Sequence, residues 1–227
     1  MAIRQRAIQS VDKKERHHAI LDAAERLLLR SPDRVANVAE VADEAGLAKG
    51  TVYLYFPSKE ELLLAVHERN LDQFFAALNT LLARAPGVTI EELLAITSQY
   101  MVGRPLFLPL AARCFALMAQ SIPAPAATAF RERMAARLEL AGAGLERQFP
   151  RLEPGEGVAK LRHSFALILG LWQMSAGATC APGPVAVGDA HADAPSPAFA
   201  WNFPDELGRA LRGLWQTVVL VAPAPPR

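Results

Sequence analysis

Apolar residues recur at helical spacing along almost the whole chain, in stretches cut by proline and glycine, and nowhere alternate as a half-buried strand requires. That pattern commits the chain to an all-α fold. From Lys13 to Arg30, Ile20, Ala23, Ala24, Leu27 and Leu28 share one side, while Lys13, Lys14, Glu15, Asp22, Glu25 and Arg26 occupy the others. Ser31-Pro32 ends this helix, because proline drives the preceding residue out of helical geometry. A shorter helix follows Asn37, whose side chain can cap the free amides and pair with Glu40; it buries Val38, Val41, Ala42 and Ala45 and stops at Gly46. Leu47 to Tyr55 restarts as helix and Phe56-Pro57 closes it. Ser58 and Glu61 then form a capping box for a long helix from Lys59 to about Arg84.

Beyond the break at Ala85-Pro86-Gly87, helices are predicted over Ile90 to Gly103, Pro105 to Ser121 and Pro123 to Gln148. After a loop at Pro150 to Gly157, Val158 to Ala178 is apolar on nearly every face, and Gly170 and Gly177 permit close approach. Such a helix needs covering all round. Ala181 to Phe203 is rich in Pro, Ala and Gly and reads as a long loop whose Phe199, Trp201 and Phe203 pack against the body or a partner subunit. Pro204 to Val221 is a last amphipathic helix, and residues 222–227 form a disordered tail.

With 52% hydrophobic and 21% charged residues in 227, the chain has ample material for a core. Its net charge of +1 carries no overall basic excess, so a surface for nucleic acid must come from local placement. Cys114 and Cys180 lie far apart and in no metal-ligand spacing, which suits a reducing cytoplasm. They read as small buried hydrophobes or, alternatively, as a redox-sensing thiol. Met1 to Arg16 is polar, with Arg4, Arg6, Lys13, Lys14 and Arg16, and lacks the apolar core of a signal peptide. The longest apolar run, Ser164 to Ala178, is too short to span a membrane. No Gly-rich phosphate loop, metal-ligand spacing or nucleophile elbow is present, so neither an enzyme nor a cofactor is expected. His17 and His18 are adjacent, point in different directions on a helix, and read as solvated.

A short helix, a turn at Gly46, a second short helix and a longer flanking one describe a helix-turn-helix unit, whose second helix enters the DNA major groove. That second helix is Leu47 to Tyr55. Lys49, Thr51, Tyr53 and Tyr55 would bring donors and flat rings to an exposed face, Gly50 would let the backbone come close, and Val52 would face inward. Ser58 and Lys59 open the next helix with free amides, a partial positive dipole and an ammonium, a receptor for a backbone phosphate.

The run Val41-Ala42-Asp43-Glu44-Ala45-Gly46-Leu47-Ala48-Lys49-Gly50-Thr51-Val52-Tyr53-Leu54-Tyr55-Phe56-Pro57-Ser58-Lys59-Glu60-Glu61-Leu62 resembles the DNA-binding motif of the TetR family of transcriptional regulators. With the first helix, the resemblance covers roughly the first third of the chain. It implies base or phosphate contacts for Lys49 and Thr51, phosphate and groove-wall contacts for Tyr53 and Tyr55, a phosphate contact for Lys59 and close docking at Gly50. Asn37 and Ala48, which open the two short helices, complete the candidate DNA-binding set. Two departures stand out. Ala48 replaces a frequent Ser or Thr that could cap the helix and touch a phosphate, and Pro32-Asp33 replaces a frequent Gly followed by an aromatic.

One such helix reads few base pairs, so a homodimer on a near-palindromic operator is expected, with half-sites about 34 to 36 Å apart. Val158 to Ala178 and Pro204 to Val221 would pair with their two-fold mates in a four-helix bundle. For a small apolar or aromatic effector, the candidate lining is Phe107, Phe115, Met118, Phe130, Met134, Phe165 and Trp172, with Gln99 and Tyr100 as polar orienters and Arg104 to pair an acidic group. Residues 1–60 would then be the DNA-binding domain with a basic N-terminal arm, and 61–221 the ligand-binding and dimerisation domain. As in a family repressor, the effector would swing the long linking helix and move the recognition helices off their spacing. The alternative is a helical small-molecule-binding protein, or a thiol sensor using Cys114 or Cys180.

Overall fold

The computed structural model describes residues 2–31, 34, 36–176 and 201–219, and these residues contain nine α-helices and no strand. In chain order they are α1 (Ala2–Arg30), α2 (Val38–Ala45), α3 (Lys49–Tyr55), α4 (Lys59–Leu82), α5 (Ile90–Thr97), α6 (Phe107–Gln120), α7 (Ala124–Gln148), α8 (Glu156–Ala176) and α9 (Phe203–Val219). The readings at Pro32-Asp33, at most of the Ala181 to Phe203 loop with Phe199, at Cys180 and at the tail lie outside the described residues. So do the side chains of Arg4 and Arg6.

Several starts and stops have a local cause. Asn37 accepts the amides of Ala39 and Glu40 while Glu40 accepts the Asn37 amide, closing the capping box read from the sequence. Gly46 ends α2 at φ 66°, a left-handed conformation that glycine adopts without a steric cost. Ser58 Oγ accepts the Glu61 amide at 3.1 Å to open α4. A second capping box, Thr89 with Glu92, opens α5. The helix expected over Ile90 to Gly103 is not uniform. It is α-helical to Thr97 and then passes into one π-type turn, Ser98–Val102, closed by a 2.7 Å bond from the Gly103 amide to the Ser98 carbonyl.

The chain divides into two compact units. The first takes in residues 1–73 and 104–130. Its core joins Ile20, Ala23, Ala24 and Leu28 of α1 to Val38, Val41 and Ala42 of α2, Val52 of α3, Phe56, Leu62, Leu63 and Val66 around the start of α4, and Leu106 and Leu110 at α6. On α1, α2 and α3 these are the positions that the sequence marked as inward. Arg69 of α4 clasps α1 through Asp22 at 2.5 Å and through Glu25. Glu44 at the end of α2 accepts from both Arg26 and Arg30.

The second unit holds residues 74–103 and 131–227. Buried Gln148 stitches the end of α4 to the start of α5, donating to the Leu82 and Arg84 carbonyls at 3.2 and 2.8 Å and accepting the Val88 amide. Where α7 meets α8, a Cβ on Gly157 would lie 2.2 Å from the Gly142 carbonyl oxygen, so this crossing requires glycine. Helices α8 and α9 pack together. Buried Trp215 donates its indole N–H to Ser164 at 3.1 Å, and the Lys160 ammonium reaches the Leu214 carbonyl at 2.8 Å. Only Ile168 among the large apolar residues of α8 is buried; Leu161, Phe165, Leu167, Leu169, Leu171 and Trp172 are half-buried, and Met174 is 55% exposed. Among the described residues, the chain does not supply the all-round cover that this helix needs.

Candidate nucleic-acid interface

The α2–α3 pair is built around one inward side chain. Val52 is fully buried in the core that α3 shares with α1, α2 and the start of α4, and with about 100° of rotation per residue its burial fixes where every other α3 side chain points. Lys49 and Gly50 are exposed, and nothing stands within 4 Å of where a Gly50 Cβ would be. Tyr53 is 43% exposed, and the Lys49 ammonium lies 5.9 Å from its ring centroid, within cation–π range. These side chains form an outward face that begins directly after the Gly46 turn.

The other candidates sit differently. Thr51 and Tyr55 are half-buried on the flanks of α3. Tyr55 turns toward His17 of α1, with ring centroids 6.2 Å apart, and Phe56 goes under the same imidazole at 5.0 Å. His17 is therefore not a freely solvated group. Burial first, then the neighbouring His18 and Arg69 charges, pushes its pKa below the ordinary imidazole value. Ala48 holds the N-cap position of α3 in extended geometry with no side-chain cap, as its methyl dictates. Asn37 is committed to capping α2. Lys59 is exposed at the first turn of α4, 3.8 Å from Glu60.

Two residues escaped the sequence reading. Leu54 is 85% exposed, the barest of the large apolar side chains described here; its position two residues after the inward Val52 was the available signal. His67 of α4 is 3% exposed, lies edge-on to Phe107 at 5.4 Å, and its Nδ1 has no protein partner. Burial pushes its pKa down to about 4, only partly offset by Glu68. Nothing in the spacing set that histidine apart from a surface one.

The candidate effector residues are divided between the units. Arg104, Phe107, Phe115, Met118 and Phe130 belong to the first; Gln99, Tyr100, Met134, Phe165 and Trp172 belong to the second. Phe107 and Phe130 are buried core, Gln99, Arg104 and Phe115 are exposed, and the others are half-buried. Gln99 and Tyr100 fall on the π-type turn. An open groove of about 570 Å³ between α5 and α9 has Leu94, Val102, Leu207 and Leu211 in its lining and the Glu91–Arg212 ion pair beside them, and none of the ten candidates borders it. Cys114 is 2% exposed and its thiol is pushed up to about 12 by burial, which disfavours the reactive thiolate. Among the described residues no cluster of His, Cys, Asp and Glu could hold a metal ion, and no single helix is long and apolar enough to cross a membrane.

Comparison with known proteins matches this geometry. Residues 20–66 fit the family model described as bacterial regulatory proteins, tetR family, and residues 68–217 fit the one described as tetracyclin repressor-like, C-terminal domain. The HTH-type transcriptional regulator EthR of Mycobacterium tuberculosis is 42% identical over 78 residues, 34% of this chain and 36% of that protein. The fatty acid metabolism regulator protein of Bacillus subtilis is 34% identical over 62 residues, 27% of this chain and 32% of that protein. The matched stretch thus spans about a third of the length of these curated relatives. Thermus thermophilus FadR, a transcriptional repressor of the same family solved in complex with lauroyl-CoA, shares the fold, with a TM-score of 0.59 at 22% identity over 93% of this chain and all of that one (100%).

Proposed function

The chain belongs to the TetR family of bacterial regulatory proteins, and from that premise we propose that it is a cytoplasmic transcriptional repressor which leaves its operator when it takes up a small apolar or aromatic effector. The observation that carries this reading is the outward face of α3, where Lys49, Gly50 and Tyr53 are open while Val52 is sealed in the core. Docked in a major groove, Lys49 and Thr51 contact bases or phosphates, Tyr53 and Tyr55 line the groove wall, and Gly50 admits the duplex closely. Lys59 and the free amides at the start of α4 take a phosphate. Asn37 and Ala48 act through the ends of the two short helices, Asn37 by holding α2 rather than by touching DNA.

The DNA-reading part is the α1–α3 region at residues 1–60, and the remainder carries effector binding and dimerisation. Half-covered α8 and its partner α9 meet the same helices of a second copy, and the open space beside Gly170 favours a close approach. Effector binding selects a conformation in which α4 has moved, changing the spacing of the two recognition helices; a coupling of about 1 to 3 kcal/mol makes a usable switch. Lauroyl-CoA, the ligand held by the Thermus relative, is one probe of that chemistry. A mobility-shift assay on DNA flanking the gene tests the reading. Wild type retards the fragment, Tyr53→Ala and Lys59→Ala retard it less at unchanged melting temperature, and equal retardation by all three contradicts the assigned roles.

A further inference from the structure

We propose that Leu54 reads sequence, by packing its isobutyl group against the C5-methyl of a thymine in each operator half-site. The inference rests on the DNA-binding reading above and adds a specificity residue to it. Leu54 and Gly50 each lie two residues from Val52, hence about 160° round the helix from the core, so together they form the ridge of α3 that projects farthest from the body. Gly50 has open space where its Cβ would be, and Leu54 is 85% exposed. A ridge that is bare at one position and apolar at the next can sink into a groove until the leucine touches its floor. Lys49 and Lys59, exposed on α3 and at the start of α4, give the flanks the charge that a duplex requires.

An isobutyl group can neither donate nor accept a hydrogen bond, so its contact must be apolar. In the major groove the base edges offer donors, acceptors and one apolar group, the thymine methyl. Leucine at this position therefore favours T over C, and over U, at the base pair it meets. Removing one methyl from such a contact costs about fourfold in affinity, equivalent to about 0.8 kcal/mol.

The experiment selects duplexes from a random pool with the full-length wild-type chain, then replaces each thymine of the selected site singly with deoxyuridine, which removes only the methyl. Binding is measured for wild type, Leu54→Ala and Leu54→Met, with circular dichroism melting to verify folding. The expected result is one position per half-site where uridine weakens wild type and Leu54→Met about fourfold and leaves Leu54→Ala unaffected. A uridine profile identical for wild type and Leu54→Ala overturns the proposal while leaving DNA binding intact. Complete loss of binding by folded Leu54→Ala overturns it too, because one methyl contact cannot carry that much. Failure to select any duplex overturns the DNA-binding reading, and this proposal with it.

Discussion

Val52 and Leu54 are two residues apart and meet opposite environments, one with no exposed surface and the other almost bare. That contrast makes separable predictions for binding and stability. Lys59→Ala is expected to lower the slope of log affinity against log salt by about one, the signature of a lost phosphate contact, with little change in melting. Phe107→Ala, at a fully buried position, is expected to destabilise by about 3 to 5 kcal/mol in urea unfolding. His67 supplies a pH dependence. It is held neutral when folded and takes up a proton near 6.5 when unfolded, so its stabilising contribution is complete above about pH 6.5 and is lost as the pH falls toward 4. Comparing pH 7 with pH 5, wild type should lose about 2 kcal/mol more than His67→Leu; parallel losses in the two proteins would mean that the imidazole is not protected. None of this was legible for His67, because burial of a polar side chain on a helix depends on what packs across it. For Val52, Gly50 and Tyr53 the helical period alone was sufficient, since the core already claimed one side of a seven-residue helix.

At the level of elements, ends that carry a chemical signal were legible, and interruptions that carry none were not. Asn37, Gly46 and Ser58 sit where helices begin or stop because each satisfies backbone groups or a left-handed dihedral. The π-type turn at Ser98–Val102 has no proline and only a following glycine to announce it, so the sequence read it as continuous helix. First-helix length was also underestimated. The reading began at Lys13, although Ile3, Ala7, Ile8 and Val11 already recur at helical spacing, and the helix runs from Ala2. Ala48 gives the test at this scale: Ala48→Ser adds the missing cap and should stabilise the chain by about 1 kcal/mol, whereas Gly46→Ala should cost about 1 to 2 kcal/mol for forcing a Cβ into φ 66°. Chemical denaturation measures both. A neutral Ala48→Ser would mean that the α3 amides are already satisfied.

For the molecule as a whole, the all-helical architecture followed from periodicity, but the effector lining did not. Phe107 and Phe130 belong to a packed core, and helical spacing does not distinguish a side chain that fills a core from one that borders a cavity. Helix α8 was a stronger guide, because an apolar surface that one chain leaves half-covered calls for a second copy. Sedimentation equilibrium should find a dimer, and Met174→Arg, on exposed α8 surface, should shift it toward monomer without unfolding it. The most direct test of a two-fold protein presenting two α3 helices to one duplex is hydroxyl-radical footprinting on the selected operator. Two protected patches on one side of the DNA, one helical turn or a whole number of turns apart, are expected, both weakened together by Tyr53→Ala. A single patch, or protection that survives that substitution unchanged, would contradict it.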